Sequence, residues 1–246
     1  MAGSPALSGT DGARPTCITL SGHELTLLPE GALWWDAEAT LVVSDLHLEK
    51  GSSYASKGQL LPPYDTSATL RQVEALVAAW NPKRIISLGD SFHDGEAEAR
   101  LSSGDRARIK ALTAGAEWFW VEGNHDPDPP ESLGGAGARE LCLGNLVFRH
   151  EPQGDAGEIA GHLHPAAKVR ARGRAVRRRC FATNGRSLIM PALGAYTGGL
   201  NVCDPAFFEL FESVPSAYVL GEDRVFPLAS KRLEPDNQRP DGLWSL

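Results

Sequence analysis

Long apolar runs are absent from this sequence of 246 residues. The longest, such as residues 39–43, are far shorter than the roughly 20 apolar residues that a membrane-spanning helix needs. Residues 1–15 are rich in Gly, Ser, Ala and Pro and contain no apolar segment of the kind found in signal peptides. These absences predict a cytoplasmic protein with no membrane partner.

An excess of positive charge is also absent. The chain has 24 Lys and Arg residues against 31 Asp and Glu residues, which gives a net charge of −7. This balance excludes a protein that coats nucleic acid through its overall positive charge. It does not exclude a phosphate-binding enzyme, because bound divalent cations supply positive charge where it is needed.

Cysteine is scarce, and its spacing excludes a disulfide or zinc framework. The four cysteines are widely separated and form no CxxC pair, at Cys17, Cys142, Cys180 and Cys203. We therefore expect reduced thiols, most of which pack in the interior. With 42% hydrophobic and 22% charged residues, the composition is that of a soluble globular protein. We expect a disordered tail at residues 1–15, one domain at 16–230 and a polar C-terminal extension at 231–246.

The order of predicted elements indicates an α/β protein. Strand-like runs occur at 17–20, 24–28, 39–44, 84–88, 117–121, 145–149, 158–161, 168–172, 175–181, 187–190 and 217–220. A helix begins at Asp65 or Thr66 and ends before Pro82, and a weaker helix covers residues 105–112. The order βαβαβ, followed by further strands, predicts a parallel sheet wrapped by helices that faces a second, more antiparallel sheet.

Six of the seven histidines lie in five short polar segments. These segments are Asp-Leu-His at 45–47, Gly-Asp-Ser-Phe-His-Asp at 89–94, Gly-Asn-His-Asp at 123–126, Arg-His at 149–150 and Gly-His-Leu-His at 161–164. Each of the first three directly follows a predicted strand. Because sites in open α/β sheets form at the carboxyl ends of the strands, we expect these side chains to meet at one edge.

The residue types in these segments are those of a hydrolytic metal site. Asp-x-His and His-x-His place two side chains on the same side of an extended backbone, within reach of one metal or of two adjacent metals. The donors are carboxylate, amide oxygen and imidazole, with no thiolate. Such a set favours Mn²⁺, Fe²⁺, Co²⁺ or Zn²⁺ in a catalytic site over a structural zinc or iron–sulfur centre.

The motifs DxH, GDxxH, GNHD, H and GHxH, in this order over residues 40–165, resemble the calcineurin-like binuclear metallophosphoesterase superfamily. Residues 44–53, 60–65 and 194–201 resemble one bacterial subfamily, the ligase-associated DNA damage response endonucleases. The resemblance implies a four-layer αββα sandwich of two mixed sheets flanked by helices. It also implies a metal-dependent phosphodiesterase that cleaves nucleic acid, single-stranded DNA above all, in DNA repair. Members of that subfamily are encoded alongside a DNA ligase and a helicase, which are the implied partners.

Carried over residue by residue, the resemblance implies two metal sites with Mn²⁺ as the first choice. One metal would be bound by Asp45, His47 and His164, the other by Asn124, His150 and His162, and Asp90 would bridge them. His125 would donate a hydrogen bond or a proton to the substrate phosphate, and Asp126 could orient it. His93 occupies the place of a second active-site histidine in the double-strand-break repair nucleases of this superfamily; the alternative is a loop histidine that only bonds its neighbours.

Two further features suggest contacts with nucleic acid. Residues 168–179 carry seven of the 24 basic residues, with a hairpin tip predicted at 172–173. Arg177, Arg178 and Arg179 would form a track for the phosphate backbone, and the alternative is a solvated hairpin. Tyr196, together with Tyr54 and Tyr64, lies in a loop-like segment and could stack on unpaired bases or pack internally.

Two other functions remain open on the sequence. One is a phosphodiesterase or phosphomonoesterase for a small nucleotide. The other is a metal-bound scaffold without turnover, which the presence of His125 disfavours.

Overall fold

Two mixed β-sheets form the centre of the protein. The computed structural model describes residues 15–59, 61–171 and 173–236. Within them the first sheet has the order β1 (Thr16–Leu20), β2 (His23–Leu27), β3 (Leu33–Trp35), β4 (Thr40–Val43), β5 (Arg84–Leu88), β6 (Glu117–Val121) and β7 (Ala136–Ala138). The pairs from β1 to β4 are antiparallel, and those from β4 to β7 are parallel.

The second sheet contains the later strands. They are β8 (Leu141–Leu143), β9 (Leu146–Arg149), β10 (Glu158–Ala160), β11 (Pro165–Ala171), β12 (Arg174–Thr183), β13 (Leu188–Ile189), β14 (Leu200–Asn201), β15 (Ser216–Leu220) and β16 (Val225–Leu228). The order is β14-β11-β12-β13-β10-β9-β8, with β15 paired to β12 and β16 paired to β15. Strands β9, β10 and β13 run parallel, whereas β11 and β12 form an antiparallel hairpin.

In the part of the chain that the structure describes, the helices are α1 (Lys50–Ser56), α2 (Asp65–Trp80), α3 (Ala97–Arg100), α4 (Ser103–Gly115) and α5 (Pro205–Phe211), with short 3₁₀ turns at Asp36–Glu38 and Ser230–Arg232. The two predicted helices are confirmed as α2 and α4. Helices α1, α3 and α5 were not predicted from the sequence. Helix α5 has an N-cap that the sequence shows. The Asp204 side chain accepts a hydrogen bond from Ala206 N, and Pro205 is the first residue of the helix.

Alternation along the strands produces the four layers. On β4, Leu41 and Val43 join the core under α2 and α4, whereas Val42 faces the second sheet. Val42 belongs to a central core that lies between the two sheets. This central core also contains Trp35 and Phe148, whose ring centroids are 6.4 Å apart in a stacked arrangement. A third core packs α5 on the outer face of the second sheet through Phe207. The αββα sandwich is therefore confirmed.

The chain ends fall largely outside the described residues. Residues 1–14 and 237–246, which include most of the predicted tail and extension, are among those not described. The described part of the extension lies along β11, where Glu234 N donates to Lys168 O at 2.8 Å and the Glu234 carboxylate lies 3.2 Å from Arg170 Nε. No helix among the described residues is long and apolar enough to cross a membrane.

Phe148→Ala should lower the free energy of unfolding by about 3–5 kcal/mol, because it opens a cavity between the two sheets. Phe208 on α5 is 56% exposed, and Phe208→Ala is the matched control with an expected change within about 0.5 kcal/mol. Urea denaturation of both variants measures the difference. Equal losses would contradict the position of the central core.

Candidate metal centre

The seven predicted ligands come from two sheets and meet at one edge. Asp45, Asp90 and Asn124 follow β4, β5 and β6, whose parallel pairing brings their carboxyl ends together. The second sheet supplies His150 after β9 and the pair His162 and His164 between β10 and β11. The core between the sheets therefore holds the two sets of side chains in register.

The first group consists of Asp45, His47 and His164. Asp45 Oδ1 lies 3.1 Å from His164 Nε2, and the Nε2 atoms of His47 and His164 are 3.3 Å apart. Burial would raise the pKa of Asp45, but the hydrogen bond and charge of His164 and the charge of His150 outweigh it and lower the pKa. Burial lowers the pKa of His47 to about 3, so its imidazole is neutral near pH 7. The carboxylate of Asp45 and the neutral imidazole of His47 therefore converge with the ring of His164, as metal ligands do.

The second group consists of Asn124, His150 and His162. Asn124 Oδ1 lies 2.9 Å from His150 Nε2 and 3.0 Å from His162 Nδ1, and the two nitrogens are 3.2 Å apart. His150 Nδ1 donates to Leu88 O at 3.0 Å, which directs the lone pair of Nε2 toward Asn124. Burial also lowers the pKa of His162. The three donor atoms, Asn124 Oδ1, His150 Nε2 and His162 Nδ1, therefore converge as the ligands of one metal ion do.

Asp90 lies between the groups. Its Oδ1 is 3.4 Å from His150 Nε2, and its Oδ2 is 3.8 Å from His47 Nε2. The carboxylate is held by His125 N, which donates to Oδ1 at 3.0 Å. Clusters Asp45–His47–His164 and Asp45–Asp90–His150 each bring ligand atoms within 4.8 Å of one another. These oxygen and nitrogen donors fit two adjacent divalent cations.

The backbone around the ligands is strained. Five predicted ligands have positive φ angles: Asp45 (52°), His47 (45°), Asp90 (45°), His162 (70°) and His164 (46°). Non-glycine residues rarely adopt this left-handed region, and such residues cluster at functional sites. Gly161 allows the close approach, because a Cβ there would collide with Ser44 Oγ and Asp45 Oδ2.

His125 and His93 lie beside the two groups. His125 Nδ1 donates to His93 O at 2.9 Å, so its Nε2 faces the site, 3.9 Å from Asp90 Oδ2. The His93 ring stacks on that of His125, with centroids 5.2 Å apart. Burial lowers the pKa of His93 to about 4, with a further contribution from Lys50. The His125 side chain is 41% exposed and can reach a substrate.

Asp126 does not orient His125 as the sequence analysis suggested. Its Oδ2 accepts a hydrogen bond from Phe92 N at 3.0 Å, and burial raises its pKa to about 7. Within the described residues no hydrogen bond joins its carboxyl group to the His125 ring, which is fixed by the carbonyl of His93 instead. Neighbouring side chains point apart here, and Asp126 anchors the loop that follows Asp90.

Two of the predicted substrate-binding arginines donate hydrogen bonds to backbone carbonyls of the protein. Arg177 Nη2 donates to Gly199 O, and Arg179 Nη1 donates to Ala192 O at 2.7 Å. Both arginines therefore hold the loop at 192–199. Arg178 alternates with them on β12 and is exposed.

That loop reaches the predicted ligands. Leu193 N donates to Ser44 O at 2.9 Å, next to Asp45. Tyr196 donates its hydroxyl to Pro62 O at 3.0 Å, an internal contact that the sequence analysis had left as an alternative to base stacking. The ordered loop, held from both sides, therefore supports the first group.

Two groups that orient the ligands were missed by the sequence analysis. Ser44 Oγ donates to Asp45 Oδ2 at 2.5 Å, and the carbonyl of Leu88 fixes His150. Ser44 directly precedes the DxH motif, so its position was a usable signal. A backbone carbonyl carries no signal in residue type, and only the fold reveals it.

Comparison with known proteins agrees with this geometry. A family model described as calcineurin-like phosphoesterase matches residues 39–181, more than half of the chain. The crystal structure of Pseudomonas putida nuclease MPE is similar, with 32% sequence identity and a TM-score of 0.67 over 87% of this chain and 100% of that chain. No curated protein sequence matches the chain.

Gly161→Ala should weaken the binding of divalent metal about 10- to 100-fold, because the new Cβ displaces Ser44 and Asp45. Gly115→Ala at the end of α4 is the matched control, since a Cβ there meets no atom within 4 Å. Calorimetric titration of both metal-free variants with Mn²⁺ checks this. Wild-type affinity in Gly161→Ala would show that the close approach is not needed.

Proposed function

The chain belongs to the calcineurin-like phosphoesterase family, and on that premise we propose that it is a metal-dependent phosphodiesterase that acts as a DNA endonuclease. Family membership makes it a metal-dependent phosphoester hydrolase. The endonuclease activity, the substrate and the residue roles below are parts of the proposal.

The observation that carries the proposal is the shared carboxylate of Asp90 between two groups of donors. In the proposal, Asp45, His47 and His164 hold one cation and Asn124, His150 and His162 hold the other. When bound, a pair of divalent cations lowers the pKa of water that attacks phosphorus and offsets the charge of the phosphate.

His125 is the proposed proton donor. Its Nδ1 hydrogen is held by the carbonyl of His93, so only Nε2 is available to the substrate. A protonated Nε2 can donate to a non-bridging oxygen or to the leaving oxygen of the phosphodiester. His93, stacked against it, is proposed to assist when the leaving group is an alkoxide.

Two likenesses support a nucleic-acid substrate. The solved structure with 32% identity is that of a nuclease, and residues 44–53, 60–65 and 194–201 resemble the repair endonuclease subfamily. We extend the proposal to single-stranded DNA, to Mn²⁺ as the native metal, and to a role in DNA repair in the cytoplasm with a DNA ligase and a helicase.

Circular single-stranded DNA tests the endonuclease proposal. Metal-free enzyme should be inactive, and Mn²⁺ should restore activity better than Fe²⁺, Co²⁺ or Zn²⁺ and convert the circle to linear product, visible on a denaturing gel. Duplex circles, a small diester dye and a monoester dye complete the panel. Full activity in excess chelator would contradict the metal-dependent mechanism, and monoester hydrolysis without DNA cleavage would favour a small-nucleotide enzyme.

His125→Ala should lower the turnover number about 10²- to 10⁴-fold, because it removes a positioned proton donor, while two metals stay bound. His23→Ala is the matched control. His23 begins β2, at the edge of the first sheet opposite the carboxyl end of β4, and its ring bonds the side chain of Asn145. Steady-state kinetics with metal analysis measures both. Metal loss in His125→Ala would make it a ligand, and an unchanged rate would place the donor elsewhere.

His93→Ala should reduce diester hydrolysis more than monoester hydrolysis. A diester has a single negative charge and an alkoxide leaving group, and it depends more on a second donor. The measurement is the ratio of kcat/KM for the two dyes in wild type and variant. An unchanged ratio would assign His93 to a structural role in the loop.

A further inference from the structure

Helix α1 carries a stripe of side chains that the sequence analysis did not assemble. Lys50, Tyr54 and Lys57 are spaced four and three residues apart, so they lie on one face of the helix and of the residue that follows it. On either side of this face Gly51 and Ser53 are buried, whereas Ala55 and Ser56 on the opposite face are exposed. The stripe is only partly covered: Lys50 and Tyr54 are half-buried and Lys57 is exposed.

The stripe faces the candidate metal centre. The Tyr54 ring lies 5.8 Å from the ring of His93, which itself stacks on His125. Burial is the main cause of the low pKa of His93, and the positive charges of Lys50 and Lys57 contribute to it. Both ammonium groups therefore lie within electrostatic reach of His93.

The two lysines have no ion-pair partner among the residues that the structure describes. Burial lowers the pKa of Lys50, and the carboxylates of Asp65 and Asp90 only partly offset this. Arg100, which donates to Ser52 on α1, is different, because it is paired with Asp94 at 2.7 Å. Two lysines that form no ion pair within the described residues and lie beside a phosphodiesterase centre are suited to bind an anion.

Cations that track phosphates, combined with an aromatic face on which a base stacks, are the usual means of binding single strands. Stacking on a side chain requires an unpaired base. The phosphates of a duplex could contact the lysines, but its paired bases could not stack on the ring of Tyr54.

We propose that Lys50, Tyr54 and Lys57 bind the unpaired nucleic-acid strand next to the scissile phosphate, with the lysines on flanking phosphates and Tyr54 under a base. The inference rests on the proposed function, since it assumes a nucleic-acid substrate at the same centre. It assigns the strand to the His93 side of the site, away from the occupied arginines of β12.

Binding of a fluorescein-labelled oligothymidine, followed by anisotropy with Ca²⁺ in place of Mn²⁺, tests the stripe. Tyr54→Leu should weaken binding about 5- to 100-fold, whereas Tyr54→Phe should keep wild-type affinity because it keeps the stacking face. Lys50→Gln and Lys57→Gln should each reduce the slope of log affinity against log salt by about 0.7.

Lys83→Gln is the matched control, because Lys83 precedes β5 at the end of the strand opposite Asp90. It should retain the wild-type salt slope. Equal salt slopes for the Lys50, Lys57 and Lys83 variants would contradict the proposal that the stripe binds the strand. Equal affinities of Tyr54→Leu and Tyr54→Phe for the oligonucleotide would contradict it as well.

Kinetics separate this inference from the proposed function. In the stripe variants, the ratio of kcat/KM for the oligonucleotide to that for a small diester dye should fall at least as much as the affinity does. A parallel loss on both substrates leaves the ratio unchanged and would overturn the stripe as a strand-binding surface. A wild-type enzyme that hydrolyses the dye but cleaves no nucleic acid would contradict the proposed function, whatever the variants do.

Discussion

The carboxylate of Asp90 faces both groups of predicted ligands, and the architecture of both sheets converges on it. It follows the strand β5, whose parallel neighbours supply Asp45 and Asn124. The second sheet brings three histidines to the same edge because the core between the sheets fixes their distance. Packing around Phe148 therefore determines the geometry of a site to which that residue contributes no atom.

The site is costly to the fold without its cations. Asp45 and Asp90 are buried carboxylates a few ångströms from other ligand atoms, and five predicted ligands have left-handed backbone conformations. Internal contacts offset this cost. Ser44 bonds Asp45, the carbonyl of Leu88 orients His150, and Arg179 holds the loop that bonds Ser44. Bound metal would contribute further stability, since cations bind the folded site and not the extended chain.

The sequence was most informative where pattern and chemistry coincide. The strands predicted at 84–88 and 117–121 match β5 and β6 residue for residue. Six of the seven predicted ligands form the two groups, and the seventh, Asp90, lies between them. Helix α1 was missed because Gly and Ser fill its first turn and its cap residue, Glu49, has a left-handed conformation without a side-chain cap. The contacts of Arg177 and Arg179 could not be predicted, because their partners are backbone carbonyls of a distant loop. Tertiary contacts of this kind have no signature in residue type.

Titration of the metal-free protein with Mn²⁺, in wild type and Asp90→Asn, tests the central claim most directly. The proposal that Asp90 serves both cations predicts that wild type binds two equivalents per chain. Asp90→Asn should weaken both binding events, because it removes the one charge that the two sites share. A variant that binds two equivalents with wild-type affinity, or a wild type that binds only one, would contradict the shared carboxylate.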